Sequence, residues 1–246
     1  MSLKQSEAII LRSQNIGEQD KIVSFFSRDK GIIKGIAKGA RKFGNRFGSS
    51  LEPLSLVKIF YYEKERKDLV TVSNCDLLES FFDLQKDLQT SFTLSYFTEL
   101  IEEFSLTRAK DDILYRLLFM TLKSLKNGKD LNFLTRYFEA WLLKINGVLP
   151  DFQKCKKCHK PFSAPGWLSP KKDGVFCDTC AVQKKEKVQP ELASFIQWVK
   201  NNPPQKKAPF SPQQLELIKN TLQEIIVFHL EKEPKTLIFL KQFPPI

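Results

Sequence analysis

Short hydrophobic runs separated by turn signals fill the first 80 residues of the chain. Ile, Val, Phe and Tyr dominate these runs, whose sequences are EAIILR, KIVSFFS, GIIKGIA, SLVKIFYY and LVTVSN. Gly17 and the stretches 29–31, 44–50 and 63–68 lie at the breaks between them. Runs of this composition, bounded by turn residues, are typical of strands. The pattern predicts about five strands, and closing the sheet would remove the exposed edges that an open one leaves.

From residue 84 to 147 the hydrophobic spacing becomes that of helices. The first stripe has a residue at every fourth position, namely Leu84, Leu88, Phe92, Tyr96, Leu100 and Phe104. Two further stripes cover 113–125 and 131–145, with Asp130 as predicted N-cap and Asn127-Gly128 and Asn146-Gly147 as predicted ends. We interpret these stripes as the core of a helical bundle rather than as a ligand pocket, because that is the usual meaning of helical periodicity.

Residues 150–189 have no periodicity and separate this helical region from a second one. Helices are predicted again from Pro190 to Lys200, after Ser211-Pro212, and briefly after Pro234. The sequence therefore predicts an α+β protein with three parts. The predicted parts are a β domain over 1–80, a helical domain over 81–149 and 190–246, and an insertion over 150–189.

The charge balance changes the picture by pointing to an anionic partner. The chain has 246 residues, and 39 Lys and Arg against 28 Asp and Glu give it a net charge of +11. Part of the excess lies in 28–46, where seven cations face Asp29 alone, and part in the lysine-rich stretch 154–187. Such local patches favour nucleic acid or an acidic protein tail as partner.

The hydrophobic runs also bear on where the protein works. The apolar run near the N-terminus has only four residues, too short for a signal-peptide core, and no run approaches the ~18 apolar residues of a membrane span. We therefore expect a cytoplasmic protein with no membrane partner. In a reducing compartment, clustered cysteines indicate metal binding rather than disulfides.

Four of the five cysteines have the spacing of a zinc site. Cys155 and Cys158 form one C-x-x-C pair, Cys177 and Cys180 form another, and the intervening length lies within the zinc-ribbon range. Two such turns can complete a tetrahedron of thiolates that leaves no open position for a substrate. The sequence thus predicts one structural Zn²⁺, whose binding would help to fold a segment too poor in apolar residues to form a core.

Other interpretations of the cysteines remain open at this point. Cys155 to His159 also match the C-x-x-C-H signature of covalent haem attachment, but haem attachment requires export and would leave the second pair unexplained. A thioredoxin-like dithiol is a further alternative, and His159 could replace Cys158 as a ligand. Cys75 lies in the β region, where we expect a small buried hydrophobic residue.

The segment after the third predicted strand is rich in glycine and cations. Its candidate phosphate contacts are Lys34, Lys38, Arg41, Lys42 and Arg46. Phe43 and Phe47 lie among them and could either stack on unpaired bases or be buried. The glycines fit neither a P-loop nor a dinucleotide-binding fingerprint, and with only two histidines we find no catalytic set. We therefore expect a binding protein rather than an enzyme.

Several ordered motifs resemble the RecO family of bacterial recombinational DNA repair proteins. These motifs are Ala8-Ile-Ile-Leu-Arg12, Gly17-Glu-Gln-Asp-Lys-Ile-Val23, the loop from Gly31 through Ala37-Lys-Gly-Ala-Arg41, and Leu51-Glu-Pro53. A helical region interrupted by a cysteine-rich insertion follows them. The resemblance covers nearly the whole chain, and the succession of parts is more specific than any one motif.

The resemblance implies an N-terminal five-stranded OB-fold barrel, a helical C-terminal domain and a zinc-ribbon insertion. It implies a recombination mediator that binds single- and double-stranded DNA, anneals complementary strands, and works with RecR and the single-strand-binding protein to help load RecA. The five loop cations then look like DNA contacts and the four clustered cysteines like metal ligands. Because some relatives lack an intact set of four, the resemblance also implies that the zinc is structural. A nucleoid-associated location in the bacterial cytoplasm follows.

Two expectations concern partners. A groove between C-terminal helices, rimmed by Lys200, Lys206 or Lys207, is a candidate docking place for the acidic, apolar-ended tail of the single-strand-binding protein. The rival hypothesis is a zinc-containing adaptor whose basic surfaces bind acidic protein tails, with only incidental DNA affinity. A zinc enzyme acting on nucleic acid is a third class, and it would need an open coordination position.

Overall fold

The computed structural model describes residues 2–63, 68–162 and 165–242. It has an N-terminal five-stranded sheet and a helical C-terminal part, which confirms the mixed α+β class. Most of the predicted break at 63–68 lies outside the described residues.

The five N-terminal strands are β1 (Ser2–Ile16), β2 (Asp20–Ser27), β3 (Gly31–Ala37), β4 (Leu56–Glu63) and β5 (Leu69–Glu79). They form a closed barrel in the order β1-β2-β3-β5-β4. Closure depends on β1, whose first half pairs with β4 and whose second half pairs with β2, both antiparallel. β3 and β5 pair in parallel. The polar ends of β1 were not predicted as strand, because alternation of apolar residues is lost where a strand is exposed.

The interior of the barrel is filled by alternate residues of the five strands, together with three residues from the connection between β3 and β4. The strand residues include Ala8, Ile10, Val23, Phe25, Ile33, Val57, Ile59, Tyr61 and Val72, all at most 3% exposed. Ala40, Phe47 and Leu51 are the core residues of this connection. This connection has no helix and consists of turns over 38–54.

A short 3-10 helix (Phe82–Lys86) precedes the helical part. The helices are α1 (Leu88–Phe104), α2 (Asp112–Lys126), α3 (Leu131–Ile145), α4 (Pro190–Asn201), α5 (Pro212–Leu230) and α6 (Lys235–Gln242). Leu84 lies in the 3-10 helix rather than in α1, because Asp87 accepts the Thr90 N–H at 2.8 Å and begins α1 there. Asp130 caps α3 as predicted. Ser211 caps α5 by accepting the Gln214 N–H, and the Ser211 N–H donates in turn to the Gln214 side chain.

The insertion contains a small sheet that the sequence pattern did not indicate. Its strands are β6 (Gly166–Leu168), β7 (Val175–Phe176) and β8 (Lys187–Val188), in the order β7-β6-β8. Strands of two or three residues are too short to show alternation.

The chain divides into two compact units. One comprises residues 1–122 and 235–246, and the other comprises residues 123–234. In the first unit α1 packs against α6, with the rings of Phe92 and Phe239 stacked at 6.1 Å. In the second, α3 packs against α4 and α5 through buried residues such as Phe138, Phe195 and Leu222. Tyr96 and Leu100 of the α1 stripe and Phe138 of the α3 stripe are buried, as expected, whereas Leu88 at the start of α1 is 60% exposed. The two helices belong to different units. The three-part division by element type stays a prediction, since the units group elements by packing.

None of the helices among the described residues combines the length and apolar character that crossing a bilayer requires.

Candidate nucleic-acid interface and metal site

The basic loop, residues 38–46, is held against the turn between β1 and β2. The Gly39 N–H donates to Asp20 Oδ1 at 2.8 Å, and the Arg41 N–H donates to the Gln19 carbonyl at 3.0 Å. Arg41 Nη1 also donates to the Gly17 carbonyl at 2.8 Å. Glycine suits position 39 because its φ is +69°. These bonds fix the course of the loop, and no local pattern of the sequence identifies Asp20 as its anchor.

The five predicted phosphate contacts are all exposed. Lys34 projects from β3, while Lys38, Arg41, Lys42 and Arg46 belong to the basic loop. None of these cations forms a salt bridge with a carboxylate in the described part of the chain. The other two cations of 28–46 differ, since Arg28 pairs with Asp112 at 3.0 Å and Lys30 with Glu63 at 3.6 Å. The structure thus separates two cations that pair with carboxylates from five that present their charge to solvent.

The two phenylalanines of this region have opposite environments. Phe47 is 3% exposed and belongs to the barrel core, whereas Phe43 has the exposure of a free side chain, 108%. Arg46 links the loop to this core, because its guanidinium lies 4.6 Å from the centroid of the Phe47 ring and its Nε donates to the Ser73 carbonyl at 2.6 Å. The sequence left open whether these rings are buried or available to stack on bases. Phe47 is buried, and Phe43 is exposed.

A groove of about 440 Å³ runs along the outer face of β1, β2 and β3 beside the end of α1. Arg12, Ser24 and Lys34 lie side by side across the three strands and line it. Arg12 is neutralised by Glu102, with Nε 2.6 Å from Oε2. Of the two cations that line this groove, Lys34 is therefore the one without a carboxylate partner among the described residues.

The four clustered cysteines converge in the insertion. Their Sγ atoms all lie within 4.8 Å of one another, and those of Cys158 and Cys177 are 3.8 Å apart. A ZnS₄ tetrahedron with Zn–S distances near 2.3 Å has S···S edges of about 3.8 Å. The donor set and its spacing therefore fit a zinc ion. Exposed His159 lies outside the cluster, which leaves four sulfurs as the candidate ligands.

The electrostatics of the cluster also call for a cation. Burial alone would raise the pKa of the Cys155 thiol, but the backbone N–H groups of Cys158, Cys177 and Lys157 favour its thiolate and lower the pKa to about 6. The adjacent Cys177 side chain is the main cause that raises the pKa of the Cys180 thiol to about 12. Four sulfurs this close cannot all ionise without a positive ion among them.

The lysines of the insertion fall into paired and unpaired groups. Lys156 pairs with Asp173 at 2.6 Å and Lys184 with Asp178 at 2.7 Å, and both pairs brace the turns around the cysteines. Six exposed lysines have no carboxylate partner among the residues described, namely Lys154, Lys157, Lys160, Lys171, Lys185 and Lys187. The insertion therefore carries a second group of exposed, unpaired cations.

Comparisons with known proteins cover both parts of the chain. The family model described as Recombination protein O N terminal matches residues 1–81, and the one described as Recombination protein O C terminal matches residues 85–238. The chain belongs to the RecO family. It is 32% identical to the DNA repair protein RecO of Koribacter versatilis over 240 residues, which cover 97% of this chain and 98% of that protein.

Other RecO proteins match to a similar extent. The DNA repair protein RecO of Dehalococcoides mccartyi strain BAV1 is 31% identical over 96% of this chain and 94% of its own length. That of Caldicellulosiruptor saccharolyticus is 28% identical over 98% of this chain and 99% of its own length. The resemblance inferred from the motifs is confirmed, and it extends over 94–99% of the length of these three RecO proteins.

Proposed function

We propose that this protein is a DNA-binding recombination mediator that anneals complementary strands and helps to load RecA onto single-stranded DNA during DNA repair. Membership of a family whose relatives are named DNA repair proteins supports the repair role. The observation that carries the proposal is the exposure of five neighbouring cations with no carboxylate partner in the described residues. Such cations can neutralise successive phosphates.

The barrel suits this role because it has the strand order of an OB-fold. β1 is shared by both halves, β3 and β5 are parallel, and a long connection joins β3 to β4. Proteins of this architecture bind nucleic acid on the face of strands 2 and 3 and on the loops that join strands 1 to 2 and 4 to 5. Lys34 lies on β3. The basic loop belongs to the connection between β3 and β4, but its bonds to Gly17, Gln19 and Asp20 hold it against the β1–β2 loop, beside that binding region.

Annealing requires a surface that holds strands without reading them. A contact to a base edge would restrict which sequences could pair, whereas phosphate contacts position a strand and carry no sequence information. The long cationic side chains of Lys38, Arg41 and Lys42 suit binding through phosphates. The six unpaired lysines of the insertion provide further candidate contacts to the DNA backbone. Cationic surfaces of this kind reduce the repulsion between two approaching strands.

We assign Cys155, Cys158, Cys177 and Cys180 as ligands of one structural Zn²⁺. The ion would link the C-x-x-C turns and stabilise the insertion, whose sheet has strands of only two or three residues. Four thiolates fill the tetrahedron, so no position is left for a substrate. This supports a binding role for the protein rather than an enzymatic one.

The proposed protein partners are RecR, the single-strand-binding protein and, indirectly, RecA. We propose a groove of about 310 Å³ in the second unit as the docking place for the tail of the single-strand-binding protein. Phe133, Phe210 and Leu215 provide apolar lining, and exposed Lys206 and Lys207 stand at the groove, whereas Lys200 does not line it. Apolar lining with adjacent cations is complementary to an acidic tail with an apolar end.

With DNA as partner, we propose a cytoplasmic, nucleoid-associated location.

Strand annealing with and without single-strand-binding protein tests the proposal. We expect this protein to accelerate annealing of complementary oligonucleotides and to retain that activity on coated strands. In a parallel titration, the logarithm of the affinity for single strands should fall linearly with the logarithm of salt concentration, with a slope near −3.5 if about five phosphates are contacted. No acceleration and a flat salt response would instead support the adaptor that binds acidic protein tails.

A further inference from the structure

Phe43 is the most exposed large hydrophobic residue of the described chain. Its relative exposure is 108%, compared with 53% for Phe82 and 49% for Phe239. Burying a phenylalanine side chain is worth about 1.5–3 kcal/mol relative to leaving it in water. Because the Phe43 ring stays in water, it contributes none of this free energy to folding. The ring is therefore available to stabilise a complex.

The backbone holds this ring at the corner of a tight turn. Asn45 N–H donates to the Lys42 carbonyl at 3.1 Å, which closes a four-residue turn with Phe43 at its second position. Gly44 is third and has φ +66°, as a type II turn requires. The Asn45 side chain also donates to the Lys42 carbonyl, at 3.0 Å. Because the turn is already formed, little backbone entropy is lost when the ring engages a ligand.

The surroundings of Phe43 indicate what that ligand is. Arg41 and Lys42 precede the ring and Arg46 follows it, all exposed. No carboxylate stands within residues 38–46. An aromatic ring between cations matches a strand of unpaired nucleotides, in which charged phosphates alternate with flat, apolar bases. A duplex offers the phosphates but keeps its bases stacked internally.

We propose that Phe43 is a base-stacking residue that gives the basic loop a preference for single-stranded over duplex DNA. The inference rests on the proposed function. The ring stacks on the face of a base while Lys42 and Arg41 contact the flanking phosphates. Stacking tolerates every sequence because every base has a π-face. It also leaves the pairing edge of the base free for the complementary strand, as annealing requires.

The test is a thermodynamic cycle between residue and base. Wild-type protein and Phe43→Ala are each titrated with an oligothymidylate of about 16 nucleotides and with an oligomer of equal length whose sugars are abasic. We expect Phe43→Ala to weaken oligothymidylate binding roughly fivefold or more, the value of one stacked base. On the abasic oligomer, which has the same phosphates, the two proteins should bind equally. An equal loss on both oligomers would overturn the proposal, and so would no loss on either.

Salt dependence separates this proposal from the function on which it rests. Stacking releases no counterions, so Phe43→Ala should keep the wild-type salt slope, whereas loss of loop cations should flatten it. If replacing Lys38, Arg41 and Lys42 reduces affinity but Phe43→Ala does not, the stacking role fails and the DNA-binding function stands. If the cation variant binds DNA as tightly as wild type, the proposed function itself fails.

Further variants distinguish stacking from a general apolar contact. Phe43→Trp keeps an aromatic face and should retain the affinity for oligothymidylate, while Phe43→Leu keeps the apolar character and should lose it. Phe82→Ala, at an exposed ring outside the basic loop, serves as the matched control and should bind as wild type. Equal binding by the Leu and Trp variants would overturn the proposal.

Discussion

Glu99 on α1 accepts the backbone N–H of Thr236, which lies 137 positions later at the start of α6, with an N···O distance of 2.9 Å. Its other carboxylate oxygen accepts the Lys235 N–H, also at 2.9 Å. Glu99 is only 8% exposed. A carboxylate at a helix N-terminus satisfies free N–H donors and interacts favourably with the helix dipole. This contact connects the last described helix to the barrel-bearing unit and helps to explain why 235–246 belong to it.

Glu99→Gln is expected to destabilise the protein in a pH-dependent way. Burial opposes ionisation, but the hydrogen bonds from Thr236 and Lys235 outweigh it, so the pKa of Glu99 lies below its ordinary value. A depressed pKa gives stability that is present above the unfolded pKa of about 4.3 and is lost as pH falls below it. We expect urea unfolding to show a loss of about 1–3 kcal/mol in Glu99→Gln near neutral pH.

The pH dependence provides the control for this prediction. The difference between wild type and Glu99→Gln should shrink as pH falls through and below about 4.3. Glu18→Gln, at an exposed carboxyl, should match wild type across the range. A difference that stays constant with pH would show that the carboxylate charge is not what stabilises α6.

This contact marks a limit of sequence reasoning. The periodicity of α1 and the breaker Pro234 predicted both helices, because local patterns determine local structure. Nothing in the hydrophobic pattern distinguishes Glu99 from any solvated glutamate, since a cap on a helix 137 positions away leaves no local signal. For the same reason the position of α6 in the first unit could not be predicted.

The triple variant Lys38→Ala, Arg41→Ala, Lys42→Ala tests the basic loop. Loss of three phosphate contacts should flatten the salt slope for single-stranded DNA by about 2 and weaken binding at low salt. The measurement is a fluorescence-anisotropy titration at several salt concentrations. The melting temperature should fall only modestly, because the variant loses the Arg41 side-chain bond to Gly17 but keeps the backbone bonds of Gly39 and Arg41 that hold the loop.

Arg28 and Lys30 provide a matched control within the same segment. Both are already paired with carboxylates. Replacing them by Ala removes two positive charges, against three in the triple variant, but no unpaired cation. We expect the salt slope of this control to equal that of wild type, and a flattening like that of the triple variant would place the contacts elsewhere or make them diffuse.

The cysteine cluster predicts a metal-dependent stability. Cys155→Ser with Cys158→Ser should abolish zinc binding and lower the melting temperature, because the short sheet of the insertion has little else to hold it. Metal analysis and calorimetry check this, and a strong chelator should produce the same shift in wild type. Cys75→Ala, at the buried cysteine of the barrel, should leave the zinc content unchanged. Full zinc content in the double variant would refute the assignment of these ligands.

The candidate site shows how far residue spacing can be trusted. The C-x-x-C spacings predicted the convergence of four sulfurs, because a two-residue spacer permits few other arrangements. The sequence could not predict which of Phe43 and Phe47 is buried, because both are aromatic residues followed by glycine in one connection. What separates them is the closure of the barrel, which needs one ring to cover its core and leaves the other in solvent.

Gly31 offers a last test, of the junction between the barrel and the segment after α1. Its φ is +68°, and a Cβ at this position would lie 2.0 Å from the backbone oxygen of Ala109. Gly17 has a similar φ of +58° but open space around it. Gly17→Ala should therefore cost only the left-handed backbone strain, about 1–2 kcal/mol. Gly31→Ala should cost clearly more, because rigid backbone must move, and equal losses in urea unfolding would show that this close approach does not constrain the fold.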